Sequence, residues 1–172
     1  IGEWAFSPSM PNRRNEQATV LKNITSVTIP DSVKTIGKHA FYKCNALTEL
    51  ILGQGLREIG DEAFIACNGL TKVVIPEGVA KIGSRAFGAC QNLQSSVVPD
   101  SVGYLNADMF DYCGNLVCVT VSSTHQNYQT AADGSLYSKD GKELICVPKS
   151  MCGSFSVPNG VTCISASAFS NC

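Results

Sequence analysis

The chain has 172 residues, a net charge of −1, and a composition that is 44% hydrophobic and 16% charged. This length suffices for one domain or a short repeat array with a buried core. The near-neutral charge argues against a nucleic-acid-binding protein, and no apolar run reaches the roughly 20 residues that a membrane-spanning helix needs. Nine cysteines are many for a cytosolic protein and an odd number for a disulfide framework.

The first segment, residues 1–26, lacks the signature that recurs later in the chain. Its aromatic residues Trp4 and Phe6 suit a cover for the exposed end of a repeat stack, so we expect a partial repeat or a cap. Because the chain starts at Ile1 and stops at Cys172 inside a repeat, we also expect it to be part of a longer protein.

Residues 27–121 repeat every 23 residues. The motif Phe-x-x-Cys occurs four times at this spacing, and leucines and isoleucines keep the same step in other registers. The repeated residues are Phe41, Phe64, Phe87 and Phe110, with Cys44, Cys67, Cys90 and Cys113. We expect both sets to form ladders inside a core, with the cysteines as free thiols in a small apolar slot.

Within one unit, Leu50–Leu52 predicts a short strand, and the Phe-x-x-Cys segment predicts a turn or a short helical piece. A lone unit buries too little apolar surface to offset the cost of ordering its backbone, about 1–2 kcal/mol per residue. The units must therefore stack. The predicted fold is an α/β repeat solenoid, a leucine-rich-repeat-like right-handed parallel coil with one short strand per repeat and a short helical or 3₁₀ turn on the opposite side.

Residues 122–156 interrupt the period, since the next Phe-x-x-Cys after Phe110 begins only at Phe169. Two short apolar runs flank Asp140-Gly141, which predicts a β-hairpin insertion. Residues 157–172 then match the earlier units and predict a resumed, truncated repeat, so that one solenoid domain runs through the chain.

The sequence offers little for catalysis or cofactor binding. His39 shares its register with charged residues and is predicted to be a solvated surface residue, and His125 lies at the start of the insertion without a recognisable nucleophile or acid. No Cys-x-x-Cys pair supports a zinc site. We predict no catalytic, metal-binding or cofactor-binding residue and no enzymatic activity.

The segment Ile29–Cys44, IPDSVKTIGKHAFYKC, resembles the repeat of the BspA-like leucine-rich repeat family, and Leu136–Gly141 resembles a hairpin common in that family. The resemblance covers residues 27–172. It implies a surface or secreted protein of bacteria or of parasitic or commensal protists, among which several members are adhesins for host proteins or other cells.

The outward positions of the predicted strands are the candidate partner-binding face. One column of β-branched residues comprises Thr28, Ile51, Val74, Val97 and Thr120. A second column comprises Ser26, Glu49, Lys72, Ser95 and Cys118, in which Glu49 and Lys72 are predicted lateral neighbours. An exposed apolar strip is typical of interaction surfaces, although β-branched residues also simply suit strands.

Two functions are compatible with this face. The leading hypothesis is a non-catalytic adhesion module, extracellular or on the cell surface, that binds host, matrix or neighbouring-cell proteins, with no nucleic acid and no membrane insertion in this segment. The alternative is a scaffolding solenoid that contacts neighbouring subunits, for example inside a protist cell. A distant third hypothesis is a carbohydrate-active or proteolytic enzyme that uses the hairpin.

Disulfides would separate these settings. Cys172 shares the register of the ladder cysteines, which leaves four candidate disulfide cysteines outside that register: Cys118, Cys146, Cys152 and Cys163. Cys146 and Cys152 flank a short segment after the hairpin, and Cys118 and Cys163 flank the insertion. Disulfides among these four cysteines would favour an extracellular protein, and the sequence leaves their pairing open.

Overall fold

The computed structural model describes residues 1–8, 22–170 and 172, in which the chain forms twelve short strands. Five strands form a layer that we call the strand face: β1 (Ser26–Ile29), β3 (Glu49–Leu52), β5 (Lys72–Val74), β7 (Ser95–Val98) and β8 (Cys118–Val121). Three form a second layer: β2 (Thr35–Ile36), β4 (Glu58–Ile59) and β6 (Lys81–Ile82). Four lie in the insertion and the last repeat: β9 (Tyr128–Thr130), β10 (Leu136–Ser138), β11 (Glu143–Cys146) and β12 (Cys163–Ile164).

The repeats stack as parallel coils in the predicted register. Where strands of neighbouring repeats pair, each residue lies opposite the residue 23 positions later, as in Ser26 with Glu49 and Thr35 with Glu58. The second layer is continuous from β2 through β4 to β6. The strand face is divided, because β1 pairs with β3 in one sheet and β5, β7 and β8 form another. The first three repeats therefore carry two strands each, one more than the sequence predicted.

The segment opposite the strands consists of successive turns, so the prediction of a helical or 3₁₀ turn is wrong. In the first full repeat the N–H groups of Ala40, Tyr42 and Cys44 donate to carbonyls three residues earlier. Between them, His39 and Lys43 adopt left-handed conformations with φ of 55° and 60°. A right-handed helix needs negative φ throughout, and two left-handed residues four apart prevent one.

The phenylalanines stack along the solenoid axis as a continuous column. Ring centroids are 4.9 Å apart for Phe41 and Phe64, 5.2 Å for Phe64 and Phe87, and 6.1 Å for Phe87 and Phe110. These distances follow the spacing of parallel strands, about 4.8 Å, because each repeat advances the chain by one strand. All four rings are buried, and they form the centre of the hydrophobic core.

Residues 1–8 add a partial coil to the first repeat. The Phe6 ring extends the column at 5.0 Å from Phe41, and the Phe6 N–H donates to the Ala40 carbonyl at 2.7 Å. Trp4 stacks on His39 with ring centroids 4.1 Å apart. Most of the rest of the predicted 1–26 segment, residues 9–21, lies outside the described residues.

His39 is not the solvated side chain that the sequence predicted. Only 13% of its side chain is exposed, because Trp4 covers the ring, and its Nε2 lies 2.8 Å from Glu62 Oε2. The sequence predicted Trp4 as a cover for the end of the stack but did not place it over His39.

The insertion is a three-stranded meander whose last strand joins the solenoid. β9, β10 and β11 are antiparallel, and β11 pairs in parallel with β12 of the last repeat. The Cys163 N–H donates to Lys142 O at 3.0 Å, as the Glu58 N–H donates to Lys34 O in a regular repeat. The last repeat therefore stacks on the hairpin strand β11, which takes the place of a second-layer strand.

Candidate binding face

The predicted apolar column lies on the outward side of the strand face. Thr28 is in register with Ile51, and Val74 with Val97 and then Thr120. Ile51 and Val74 are 50% and 51% exposed, values that are high for large apolar side chains in a folded domain. Val97 is half-buried, and both threonines are exposed.

This exposure follows from strand alternation. Inward neighbours such as Ile29, Leu52 and Val73 are buried in the core, which turns the residues between or beside them outward. Outward β-branched side chains have few rotamers, so they lose little conformational entropy when a partner covers them. The column is therefore a preorganised apolar surface.

The second column lies beside the first on the strand face. The Glu49 carboxylate accepts a hydrogen bond from Ser26 Oγ at 2.8 Å, and no ion pair joins it to Lys72 among the described residues. Glu49 in β3 and Lys72 in β5 belong to separate sheets, so no strand ladder joins these two residues.

A groove of about 390 Å³ lies at the carboxyl ends of β5, β7 and β8. The column residues Val74, Val97 and Thr120 line it together with Pro76 and Pro99. Sequence reasoning missed the groove, although the shared register of the two prolines was visible as the stop signal of each strand. The groove gives the flat apolar column a recess that a partner side chain can fill.

The sequence model of the BspA type leucine rich repeat region matches residues 16–132 in six copies. This chain belongs to the BspA-type leucine-rich repeat family. Membership of this leucine-rich repeat family favours a protein-interaction module. Comparison with curated proteins finds no match.

Solved bacterial structures, two of them of leucine-rich repeat proteins, share the fold. The pneumococcal vaccine antigen PcpA is 25% identical with a TM-score of 0.66, over 84% of this chain and 42% of PcpA. A leucine-rich repeat protein from Eubacterium ventriosum is 24% identical with a TM-score of 0.67, over 86% of this chain and 45% of its own. One from Bacteroides ovatus is 30% identical with a TM-score of 0.54, over 81% of this chain and 30% of its own.

This chain thus spans less than half the length of these three structures. No helix within the described residues is long and apolar enough to cross a membrane.

The ladder cysteines of the BspA-type repeats make a contact that the sequence did not predict. The thiols of Cys67, Cys90 and Cys113 each donate to the phenylalanine carbonyl of the repeat before their own, at 3.1, 3.2 and 3.1 Å; the acceptors are Phe41, Phe64 and Phe87. Cys44 does the same with Phe6 at 3.3 Å. A small side chain with one weak donor fits this slot, because it fills the core and also satisfies a buried carbonyl.

Burial raises the pKa of Cys44 to about 12, and burial with the neighbouring Cys44 thiol raises that of Cys67. A hydrogen bond with Cys113, together with burial, raises the pKa of Cys90. These thiols therefore stay protonated at neutral pH and are poor nucleophiles.

The four candidate disulfide cysteines carry free thiols in this structure, as do the other five. Cys146 is buried, and this burial raises its pKa to about 11, whereas Cys152 and Cys163 are exposed. Cys118 in β8 and Cys163 in β12 belong to different sheets. The two disulfide pairings remain a prediction.

Ser96 occupies an inward position of the strand face where its paired neighbours are Val73 and Val119. It is fully buried, and its hydroxyl has no hydrogen-bond partner among the described residues. A buried hydroxyl without a partner is unfavourable by about 1–3 kcal/mol. Ser96→Val should therefore raise the free energy of unfolding by about 1–2 kcal/mol, measured by urea denaturation.

The matched control is Ser95→Val, at a half-buried outward position of the same strand. We expect it to change stability by less than about 0.5 kcal/mol. Equal effects of the two substitutions would show that the Ser96 hydroxyl carries no such penalty.

Proposed function

We propose that this chain is a non-catalytic module of an extracellular or cell-surface adhesion protein, and that its strand face binds a host, matrix or neighbouring-cell protein. The observation that carries the proposal is the half-exposed apolar column at Ile51 and Val74, continued into the groove at the ends of β5, β7 and β8. Monomeric proteins rarely leave such apolar side chains in one row unless a partner covers them.

The family and its solved relatives support an extracellular or cell-surface location. PcpA is a bacterial vaccine antigen, a use that suits a molecule accessible at the cell surface. The face itself favours a protein partner over a small molecule, because a row of weak apolar contacts across stacked repeats accumulates affinity only with an extended surface.

The test introduces a lysine at Ile51, Val74 and Val97 together. We expect the variant to lose at least 100-fold in affinity for any purified extracellular-matrix protein that the unmodified chain binds, because charges would be buried against an apolar contact. Biolayer interferometry against a panel of such proteins measures this, with circular dichroism to show that the fold is retained.

The matched control places three lysines at Thr35, Asn45 and Ala80, which are exposed outside the column. It adds the same charge and should leave binding unchanged. If the column variant binds as well as this control, the strand face is not the binding site.

A further inference from the structure

The coil contributed by the insertion is two residues shorter than a regular repeat. The Ser165 N–H donates to Leu144 O at 2.9 Å, as Gly60 N–H donates to Ile36 O at 2.8 Å. The Val147 N–H donates to Ala168 O at 2.9 Å. In a regular repeat the phenylalanine N–H makes this bond to the next coil. Two residues thus lie between Leu144 and Val147, where four lie between Ile59 and Phe64. The outward turn formed by residues 60–63 of a regular repeat has no room in this coil.

A cleft of about 390 Å³ occupies the place of the missing turn. One wall is residues 106–108 of the fourth repeat, the other is residues 165–167 of the last repeat, and Tyr128, Glu143 and Ile145 line it between them. In a regular repeat the Glu62 N–H crosses to Ser84 O at 2.9 Å. In the cleft, the equivalent Asp108 N–H and Ala166 carbonyl have no partner among the described residues.

The cleft is acidic and contains no basic side chain among the described residues that line it. The Asp108 carboxylate accepts hydrogen bonds from Ser84 Oγ at 2.6 Å and from the Arg85 N–H at 3.4 Å. The Glu143 carboxylate accepts one from Ser165 Oγ at 2.5 Å. These neutral donors fix both carboxylates without cancelling their charge, and no ion pair reaches either one within the described chain.

Two tyrosines add to this environment. Tyr104 is 75% exposed, the highest value among the large hydrophobic side chains of the described residues. The Tyr128 hydroxyl accepts from the Leu105 N–H at 2.9 Å, which holds it at the cleft. Burial raises the pKa of Tyr128, and the nearby Tyr104 and Glu143 add to the rise, so the three groups interact. Carboxylates and aromatic rings both attract cations, and a cavity of this size admits one long side chain.

We propose that this cleft binds an alkylammonium or guanidinium group, supplied by a lysine or arginine side chain of a protein. The cleft is separate from the strand face. The proposal for the cleft therefore does not depend on the binding function proposed for the strand face. Asp108 and Glu143 supply the charge, Tyr104 and Tyr128 supply the aromatic wall, and the Ala166 carbonyl accepts a hydrogen bond from the cation.

The test titrates the whole chain, followed by ¹H–¹⁵N NMR, with N-acetyl-lysine methylamide, its arginine analogue and the neutral norleucine analogue. We expect the two cations to shift resonances of residues 104–108 and 165–167 and to bind at least tenfold more tightly than norleucine. Raising the salt concentration from 50 to 500 mM should weaken the cations only, by at least threefold. Butylammonium binding as tightly as the lysine analogue would overturn the assignment to a protein side chain.

Variants test the named groups. Glu143→Gln and Asp108→Asn should each weaken cation binding at least threefold, whereas Glu77→Gln, which removes an exposed carboxylate outside the cleft, should not. Because Tyr104 is largely exposed, Tyr104→Ala provides a variant with little risk to folding, and it should also weaken binding. Equal binding of norleucine and lysine analogues, or no effect of the two carboxylate variants, would overturn the proposal.

Alkylation gives a second readout. Cys163 lines the cleft, whereas Cys152 is exposed outside it. Saturating lysine analogue should slow N-ethylmaleimide labelling of Cys163 at least threefold and leave Cys152 unchanged, as mapped by mass spectrometry. Equal labelling rates of Cys163 with and without the analogue would contradict binding at this cleft.

Discussion

Above about pH 9 the protein should lose stability steeply, because buried thiols must be protonated in the folded state. The pKa values of Cys67, Cys90 and Cys146 all lie above the ordinary 9.0 in the fold. Stability from these groups is complete below pH 9 and is lost as the pH rises toward their folded pKa values. For each thiol, the free energy of unfolding then falls by up to about 1.4 kcal/mol per pH unit. For the three together the fall approaches about 4 kcal/mol per pH unit. Urea denaturation at pH 7 to 10.5 measures the slope.

Cys67→Ala is the variant that isolates one thiol. It removes the hydrogen bond to Phe41 O and should destabilise the protein at pH 7 by about 1 kcal/mol. Above pH 9 the slope of its unfolding free energy against pH should be shallower than that of the unmodified protein, and the two slopes should differ by about 1.4 kcal/mol per pH unit. Parallel pH profiles for the variant and the unmodified protein would contradict this origin of the alkaline loss.

Gly55→Ala should be among the most damaging single substitutions in the chain. A Cβ at Gly55 would overlap the carbonyl oxygen of Asp31 in the coil below, and this backbone atom cannot move without separating two coils. We expect a loss of at least about 3 kcal/mol in the free energy of unfolding, since overpacking against backbone allows little relaxation. Thermal and urea denaturation measure it.

Gly103→Ala provides the control, because the nearest atom to its Cβ would be Asn127 Nδ2 at 4.0 Å. We expect a change within about 0.5 kcal/mol, or a slight gain from the reduced entropy of the unfolded chain. Similar losses for both substitutions would show that close approach between coils is not the cause.

The sequence predicts the features of the fold that depend on its period. Phe41, Phe64 and their equivalents had to share one environment once they recurred every 23 residues, and they stack as a column. The outward position of Ile51 and Val74 follows from the alternation of strand side chains in the same way. These features need only the repeat length and the pattern of apolar residues.

Features that depend on two-residue elements or on distant segments were missed. Thr35–Ile36 is too short to show a period of two, so the second layer could not be predicted. The left-handed turns fall on ordinary residues such as His39, Lys43 and Ala66, none of them glycine. The burial of His39 depends on Trp4, which precedes it by 35 positions.

The acidic cleft was missed for a different reason. Residues 122–156 do not match the other repeats in sequence, so they were interpreted as an insertion. The sequence therefore contained no sign that β11 forms a shortened coil of the solenoid. Asp108 was visible only as one charged residue in the register of His39. Its position opposite Ser165 and Ala166 requires the last repeat to stack on the hairpin.

The division of the strand face also determines how the molecule yields to force. At the junction of β3 and β5 the second layer and the phenylalanine column continue, but the strand face has no ladder of hydrogen bonds. When the solenoid is pulled along its axis, the hydrogen-bonded second layer therefore resists more than the strand face at this junction. Under such a load we expect the coils to separate first between Ile51 and Val74, with the second layer as the hinge, so that the apolar column widens before any coil unfolds.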